Sequence, residues 1–375
     1  MSSDAEILVI GGGIIGCAVA GELTGRGARV HVLDSRSVGQ GATQASAGML
    51  APYTEAHESG PLLDLLIRSL DLYDGWIEDV RVQSGVRVEY RRSGSLEVAF
   101  DGESAAHLRR TGATVGAERC AWLDSAGARQ LEPALAAAVA GALSVPGHGY
   151  VSAPDLTAAL ARVVAAGGGR VQTASRAVAL DARPGFVDVV LDDGNSIRAE
   201  QVVIATGSWT PQLLGLDDEA PRQVRPVRGQ LLRIRPRAPL LSRVVWGPGC
   251  YLVPWDDGTV LVGATMEEAG FDERNTVTAV RALLEAASTL VPALSDATFV
   301  DARSGLRPAT PDGLPIIGPS ASSDRLFYAT GHFRNGVLLA PLTARIVADL
   351  MLDRRAVPEL EALSPRRVAL TSRVP

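Results

Sequence analysis

Residues 6–16, with the sequence EILVIGGGIIG, decide the fold of this chain. The first five are an apolar run typical of a buried strand, and the next six match the pattern G-x-G-x-x-G. A predicted helix over residues 17–26 follows, and then a second strand, Val30–Leu33, which ends at Asp34. A glycine-rich turn between a strand and a helix, with an acid about 20 residues further on, indicates a dinucleotide-binding site.

Each part of this pattern has a physical role. Gly11 permits the tight turn, Gly13 lets a diphosphate approach the backbone, and Gly16 lets the helix pack closely against the strand. The N-terminus of the helix offers free N–H groups and a partial positive charge to the phosphates. Asp34 can accept hydrogen bonds from both hydroxyls of an adenosine ribose. The pattern by itself does not distinguish FAD from NAD.

Two later stretches favour FAD. Residues 39–50, GQGATQASAGML, are small and hydroxyl-bearing, as suits a loop that lies against a cofactor. Near the other end of the chain, a predicted strand, Leu326–Thr330, precedes a glycine-bounded turn over residues 331–336 and a predicted helix over residues 337–352. The N-terminus of this second helix could stabilise negative charge on a reduced flavin ring, which an NAD enzyme does not need.

The composition restricts the class of protein. With 46% hydrophobic and 21% charged residues, the chain is typical of a soluble globular protein, and its net charge of -6 argues against a nucleic-acid partner. All 36 basic residues are arginine, which excludes a lysine Schiff base and a P-loop lysine. The three cysteines and five histidines are too scattered to predict a metal site or a disulfide framework. The N-terminal apolar stretch is too short to span a membrane, so we expect a cytoplasmic protein.

Six stretches resemble the D-amino-acid oxidase-like family of FAD-dependent oxidoreductases, and within it most closely the glycine oxidases of thiamine biosynthesis. They extend from residue 7 to about residue 350, and the two that carry arginines near the C-terminus are more specific than the phosphate loop. The stretches are IGGGIIGCAVAGEL, ASAGML, CYLVP, LVGATME, SGLRPATPDGLPIIG and GHFRNGVLLAP.

The resemblance implies an α/β fold: a Rossmann-like FAD-binding domain of the D-amino-acid oxidase and glutathione-reductase type, and an α+β substrate domain with a mixed sheet. The pattern of the chain predicts helices over residues 61–82, 154–166 and 276–290, and a strand over residues 87–100. We expect the FAD domain to comprise residues 1–85, 148–221 and 301–355, the substrate domain residues 86–147 and 222–300, and a C-terminal tail residues 356–375.

We expect noncovalent FAD. Sarcosine-oxidase relatives attach their flavin through a cysteine late in the chain, and here no cysteine follows Cys250. The residues expected to contact FAD lie in the phosphate loop, at the acid after the second strand, in the 39–50 loop and at the start of the last helix. They are Gly11, Gly13, Ile14, Ile15, Gly16, Asp34, Ser35, Ala42, Thr43, Ala47, Gly48, Met49, Ala177, Gly207, His332, Phe333, Arg334, Asn335, Gly336, Val337 and Leu338.

Four residues are expected to contact the substrate. Arginine binds a carboxylate through two parallel hydrogen bonds, and Arg307, stiffened by the proline that follows it, is the predicted carboxylate clamp, with a surface arginine as the alternative. By resemblance, the Tyr251 hydroxyl donates to the same carboxylate, against the alternative of a core tyrosine. Arg334 contributes to the pocket by resemblance or forms a salt bridge that closes its loop. Met49 narrows the pocket near the flavin or is plain core, and His332 is expected to be structural.

The resemblance implies oxidation of glycine, and of small amines such as sarcosine or D-alanine, to the imine or 2-oxo acid. Hydride transfer from a neutral amine to the flavin requires no acid–base side chain. Dioxygen is the expected second substrate, with release of hydrogen peroxide, and the imine would supply a thiazole synthase. A homo-oligomer is left open. The alternatives are a D-amino-acid dehydrogenase, a sarcosine-oxidase-like enzyme, a non-catalytic flavin-binding protein and an NAD-dependent dehydrogenase.

Overall fold

The structure is a computed structural model that describes residues 4–55, 60–355, 358 and 360–367. His57 and most of the predicted tail over residues 356–375 lie outside the described residues. The helices are α1 (Ile14–Gly25), α2 (Pro52–Glu55), α3 (Pro61–Ser84), α4 (Gly102–Val115), α5 (Ser125–Leu131), α6 (Ala153–Ala166), α7 (Glu219–Arg222), α8 (Val277–Leu290), α9 (Gly336–Met351) and α10 (Leu360–Leu363). Among the described residues, no helix is both long enough and apolar enough to cross a membrane.

The strands form two large sheets and one small sheet. They are β1 (Ala5–Ile10), β2 (Val30–Leu33), β3 (Met49–Leu50), β4 (Tyr90–Arg91), β5 (Ser95–Ala99), β6 (Ala121–Asp124), β7 (Gly141–Val145), β8 (Gly149–Val151), β9 (Arg170–Gln172), β10 (Ala177–Arg183), β11 (Phe186–Leu191), β12 (Ser196–Ile204), β13 (Arg225–Arg235), β14 (Val244–Gly247), β15 (Cys250–Pro254), β16 (Val260–Gly263), β17 (Thr298–Ala309), β18 (Ile316–Pro319) and β19 (Leu326–Thr330).

The first large sheet has a parallel centre in the order β9-β2-β1-β12-β19, and β10, β11 and β18 extend it with antiparallel pairs. Both faces of its central strand are buried, as the continuous apolar run in β1 predicts. Ile7 and Val9 point into a core shared with α1, α3, α6 and α9, whereas Leu8 and Ile10 point into the core on the other face. This sheet confirms the predicted Rossmann-like fold.

The second large sheet is mixed, in the order β17-β13-β16-β15-β14-β5-β7-β6, with one parallel pair between β14 and β5. Helix α8 packs on it through Leu283, Ala287 and Leu290. Its longest pairing joins β13 to β17, so the predicted domain boundary at residue 301 falls inside a strand of this sheet. The division into two domains stays a prediction, and the mixed sheet itself is the one expected.

The predicted elements are present, with differences of one to three residues at the ends of the helices and one difference within a predicted strand. The predicted helix over residues 61–82 extends to Ser84 and stops at Gly85, whose φ of 66° is the left-handed conformation that ends a helix. The last predicted helix begins one residue earlier and ends one earlier, as α9. The predicted strand over residues 87–100 was wrong as a single element: β4 belongs to the small β3-β8-β4 sheet and β5 to the second large sheet.

Candidate active site

A cavity of about 790 Å³ is lined by residues from both large sheets. Its lining includes the phosphate loop after β1 and the start of α1, and also Tyr251, Arg307 and the start of α9. The helices therefore present two N-termini to one cavity, each with free backbone N–H groups and a partial positive charge. This is the arrangement that the sequence predicted for a dinucleotide whose second ring system is a flavin.

The glycines of the phosphate loop are required by close backbone contacts. Gly11 has a φ of 114°, and a Cβ there would overlap the carbonyl group of Ala205. A Cβ on Gly16 would overlap the carbonyl oxygen of Gly11, so the helix reaches the strand only because this side chain is absent. The roles predicted for these two glycines therefore match the contacts, although Gly16 does not line the cavity.

Asp34 is fixed at the end of β2 beside the phosphate loop. Its Oδ2 accepts a hydrogen bond of 2.6 Å from the backbone N–H of Gly12, and its Oδ1 accepts one of 2.7 Å from that of Arg36. The half-buried carboxylate faces the same cavity as Gly11 and Gly13. It is thus oriented in advance for the ribose hydroxyls of an adenosine, as the sequence predicts.

The first turn of α9 is held by α3. Pro341 lies inside α9 and has no N–H, so the Val337 carbonyl loses its usual partner four residues further on. The hydroxyl of the fully buried Tyr73 donates to that carbonyl instead. Ser69, also fully buried, donates from its Oγ to the Leu338 carbonyl over 2.6 Å. These two bonds fix the helix end that faces the cavity.

These residues fit FAD. The diphosphate end has the glycine loop, the start of α1 and the acid. The far end has a second helix start whose N-cap residue, Asn335, makes no capping hydrogen bond through its side chain. Gly336 and Val337, the first two residues of that helix, line the cavity. A site that bound only a diphosphate would not need a second helix start held in a fixed orientation.

Arg307 lies on β17 and reaches across the neighbouring strand. Its guanidinium lies over Gly229 of β13, where a Cβ would overlap it, and Nη1 donates to the carbonyl oxygen of Thr265 over 3.0 Å. The residue is half-buried, and burial lowers its pKa from the ordinary arginine value. An arginine stays protonated at neutral pH after any such shift, so a half-buried cation lines the cavity.

Tyr251 lies on β15, and its side chain packs over Gly263, the residue that pairs with it on β16. A Cβ on Gly263 would overlap the phenol ring and its hydroxyl. Tyr251 is 9% exposed, and burial raises its pKa, while the nearby Arg307 and Arg334 act in the opposite direction. The hydroxyl is therefore protonated at neutral pH and available as a hydrogen-bond donor.

Arg334 forms an ion pair with Glu55. Its Nε lies 3.0 Å from Oε2 of Glu55, and its Nη2 donates to Oε1 over 3.1 Å. The Glu55 side chain is 7% exposed, and burial raises its pKa against the opposing charges of Arg334 and Arg307. The salt bridge named as one alternative for Arg334 is thus present, and both partners also line the cavity.

The cavity brings together most of the residues predicted for the cofactor and the substrate. Of the cofactor set, Gly16, Asn335 and Leu338 do not line it, because they lie in or behind the helix starts. His332 is buried against Thr343, with Nε2 and Oγ1 3.0 Å apart, and burial lowers its pKa to about 3, consistent with a structural role. The predicted residues that line the cavity are Gly11, Gly13, Ile14, Ile15, Asp34, Ser35, Ala42, Thr43, Ala47, Gly48, Met49, Ala177, Gly207, Tyr251, Arg307, His332, Phe333, Arg334, Gly336 and Val337.

Sequence reasoning missed three residues that shape this end of the cavity. Glu55 carries no motif, and only the fold brings it to Arg334. Gly229 and Gly263 lie in β13 and β16, and their importance depends on which side chain lies over each. A glycine inside a strand can indicate close approach by a neighbouring group, and that signal was available at both positions.

Residues 6–350 match the family model described as DAO, FAD dependent oxidoreductase. A bifunctional ThiO/ThiG protein of Synechocystis sp. is 38% identical over 381 residues, covering 100% of this chain and 56% of that protein. The chain thus spans little more than half the length of that relative. A glycine oxidase of Geobacillus kaustophilus is 38% identical over 372 residues, covering 98% of each chain.

The fold agrees with a solved structure of the same kind. The crystal structure of a glycine oxidase from Geobacillus kaustophilus superposes with a TM-score of 0.92 at 36% identity, covering 98% of this chain and 100% of that one. The matched family decides between FAD and NAD in favour of FAD, in agreement with a cavity that is lined by two helix starts. The chain belongs to the DAO family of FAD-dependent oxidoreductases, and FAD is its cofactor.

Proposed function

We propose that the protein oxidises the amino group of a small amino acid, with glycine as the preferred substrate. The observation that carries the proposal is the position of Arg307, a half-buried cation in the same cavity as the dinucleotide loop. An arginine in such a place, with no carboxylate bonded to it among the described residues, is suited to bind a carboxylate from outside the chain. The relatives named glycine oxidase support the choice of substrate.

The side chains at this end of the cavity divide the work of binding. Arg307 binds the substrate carboxylate, and the protonated Tyr251 hydroxyl donates a further hydrogen bond to it. When the substrate is held in this way, its Cα and amine have a fixed position in the cavity. This binding orients the substrate, and no side chain has to act as a base at Cα. Bound FAD supplies the two-electron acceptor for the oxidation.

The size of the substrate is limited by bulky groups around this end. Met49, Trp246 and the Tyr251 ring line the cavity and pack in one apolar cluster. One methyl group changes discrimination in such a pocket by only about 1–3 kcal/mol. We therefore propose sarcosine and D-alanine as slower substrates. The FAD contacts and the two-domain division that the sequence predicts are further parts of the proposal.

Dioxygen is the proposed acceptor of the electrons from FAD, with hydrogen peroxide as the product. The imine formed from glycine would hydrolyse to the 2-oxo acid or pass to a thiazole synthase. The ThiO/ThiG relative, described as bifunctional, supports a link of this kind to thiamine biosynthesis. A cytoplasmic location fits the three buried free cysteines, since a reducing compartment keeps thiols unpaired.

A peroxide-coupled screen of the purified holoenzyme over glycine, sarcosine, D-alanine and larger D-amino acids tests the proposal. We expect peroxide with glycine and slower release with the other two small amines. Flavin bleaching by glycine under anaerobic conditions, without peroxide in air, would instead identify a dehydrogenase. A yellow protein bleached by none of these amines would contradict the proposed activity and favour a non-catalytic flavoprotein.

A further inference from the structure

Three charged side chains line the end of the cavity bounded by Tyr251: Arg307, Arg334 and Glu55. Each lies near enough to Tyr251 to influence its pKa, so the three share one electrostatic environment. Their hydrogen bonds differ. Arg334 is bound through Nε and Nη2 to the two oxygens of Glu55, whereas the hydrogen bonds of Arg307 go to neutral backbone carbonyls.

This arrangement sets the charge that a ligand meets. The Glu55 carboxylate neutralises Arg334, and its two oxygens occupy the Nε and Nη2 edge of the guanidinium, which is one edge that could otherwise bind an acid. Within the part of the chain that the structure describes, Arg307 is left as one half-buried cation without a bonded carboxylate. A buried charge is stable only when it is paired, so a ligand with one carboxylate completes the balance. A second carboxylate near Arg334 would meet Glu55 and be repelled.

We propose that Glu55 is a specificity-determining residue that restricts the site to substrates with a single carboxylate, by occupying Arg334. The inference rests on the proposed function, since it assigns the class of amino acid that the same site accepts. Dicarboxylates are disfavoured because the negative charge of Glu55 repels their second carboxylate. The single carboxylate of an accepted substrate binds to Arg307.

The two further carboxylates described near this cluster, Glu97 and Glu267, do not alter this balance. Burial and, secondarily, the nearby charge of Glu55 raise the pKa of Glu97, but Glu97 does not line the cavity. Glu267 approaches Arg307 only at longer range and is itself paired with Arg228 over 2.6 Å. The neutral Tyr251 contributes a donor and no charge.

The test compares the holoenzyme with E55Q, which keeps the shape of the side chain and removes its charge. Binding of glycolate, malonate and succinate is measured from the change in the visible absorption of the bound flavin. We expect E55Q to shift the affinity ratio toward the dicarboxylates by about tenfold or more, because Arg334 becomes available to a second acid group. E55D, which retains the charge, is the matched control and should keep the wild-type ratio.

An unchanged ratio in E55Q, or no spectral response of the wild type to any of the three acids, would overturn the proposal. R334Q and the double variant E55Q/R334Q provide an independent test that does not depend on E55Q alone retaining FAD. In R334Q the unpaired Glu55 faces the ligand, and glycolate should bind about tenfold more weakly. The double variant has the same summed charge as the wild type and should recover to within about threefold.

A double variant that binds glycolate as weakly as R334Q would also contradict the charge balance. These measurements use ligands that do not turn over, so their outcome is separate from the activity. An enzyme that oxidises no amine, yet shows the expected shift in affinity, would contradict the proposed function and leave the role of Glu55 intact. An enzyme that oxidises glycine but shows no shift in affinity would support the proposed function and contradict the role of Glu55.

Discussion

The guanidinium of Arg307 lies directly against the backbone of Gly229, where any side chain would occupy the same space. The two residues belong to neighbouring strands, β17 and β13, and the register of that pairing fixes their relative position. The position of the proposed carboxylate clamp therefore depends on the absence of a side chain on the opposite strand.

Gly229→Ala should displace Arg307 and weaken substrate binding. We expect KM for glycine to rise by about tenfold to a hundredfold, the equivalent of losing a charge-assisted hydrogen bond, with FAD content unchanged. Gly75→Ala is the control, because that glycine lies in α3 with open space around it, and the change should leave KM alone and slightly stabilise the helix. Steady-state kinetics with both variants check this, and equal KM values in the two would refute the dependence on Gly229.

Tyr251→Phe should remove the second hydrogen bond to the substrate carboxylate without disturbing the ring that packs over Gly263. We expect KM to rise by about tenfold or more, since a hydrogen bond to a charged group contributes about 1.5–3 kcal/mol. Tyr90→Phe, which loses a hydroxyl bonded to Asp74 away from the cavity, is the matched control. Steady-state kinetics with glycine measure the effect in both variants, and KM values equal to that of the wild type in both would show that Tyr251 is a core residue only.

Tyr73→Phe should leave the Val337 carbonyl buried without a donor, because Pro341 cannot supply one. We expect a loss of stability of about 1–3 kcal/mol and weaker retention of FAD at the start of α9. Adding Pro341→Ala restores the missing N–H, so the double variant should recover much of the loss. Thermal unfolding and the dissociation constant of FAD are the measurements, and the absence of recovery would contradict this account of the helix end.

Glu97→Gln should stabilise the protein more at pH 8 than at pH 5. Burial, and secondarily the Glu55 charge, raises the pKa of Glu97 to about 7. Between the pKa of Glu97 in the unfolded chain and about pH 7, the folded protein keeps a proton on Glu97 that the unfolded chain has released. The wild type therefore loses stability as the pH rises through that range. We expect a gain of order 1–3 kcal/mol at pH 8.

Little change is expected from Glu97→Gln at pH 5, where the wild-type side chain is already largely protonated in the folded protein. Urea unfolding at the two pH values measures the difference. Glu285→Gln, at an exposed position on α8, is the control and should show no such pH dependence. A gain independent of pH would show that Glu97 is ionised in the folded protein throughout this range.

The fold could be predicted from the sequence where the constraint is local. Gly16 is dictated by its contact with Gly11 within one strand–turn–helix unit, and the apolar run of β1 records burial on both faces. In these cases residues that are close together in the chain carry the physical reason.

The remainder depends on contacts between distant parts of the chain. Glu55 and Arg334 are separated by 279 positions, and nothing near either residue indicates the other. The roles of Gly229 and Gly263 follow from the register of strands that pair across the second sheet. The predicted strand over residues 87–100 was divided for the same reason, because its two halves pair in different sheets. Pairing of this kind is decided by tertiary packing and not by local pattern.

The central claim is that a substrate carboxylate binds to Arg307 in the cavity that holds FAD. The most direct measurement is the rate of flavin bleaching after anaerobic mixing with glycine, as a function of glycine concentration, in the wild type and in Arg307→Ala. We predict saturation in the wild type, and in the variant a normal FAD content with a rate that rises without saturating. Saturation of both proteins at the same glycine concentration would contradict the claim.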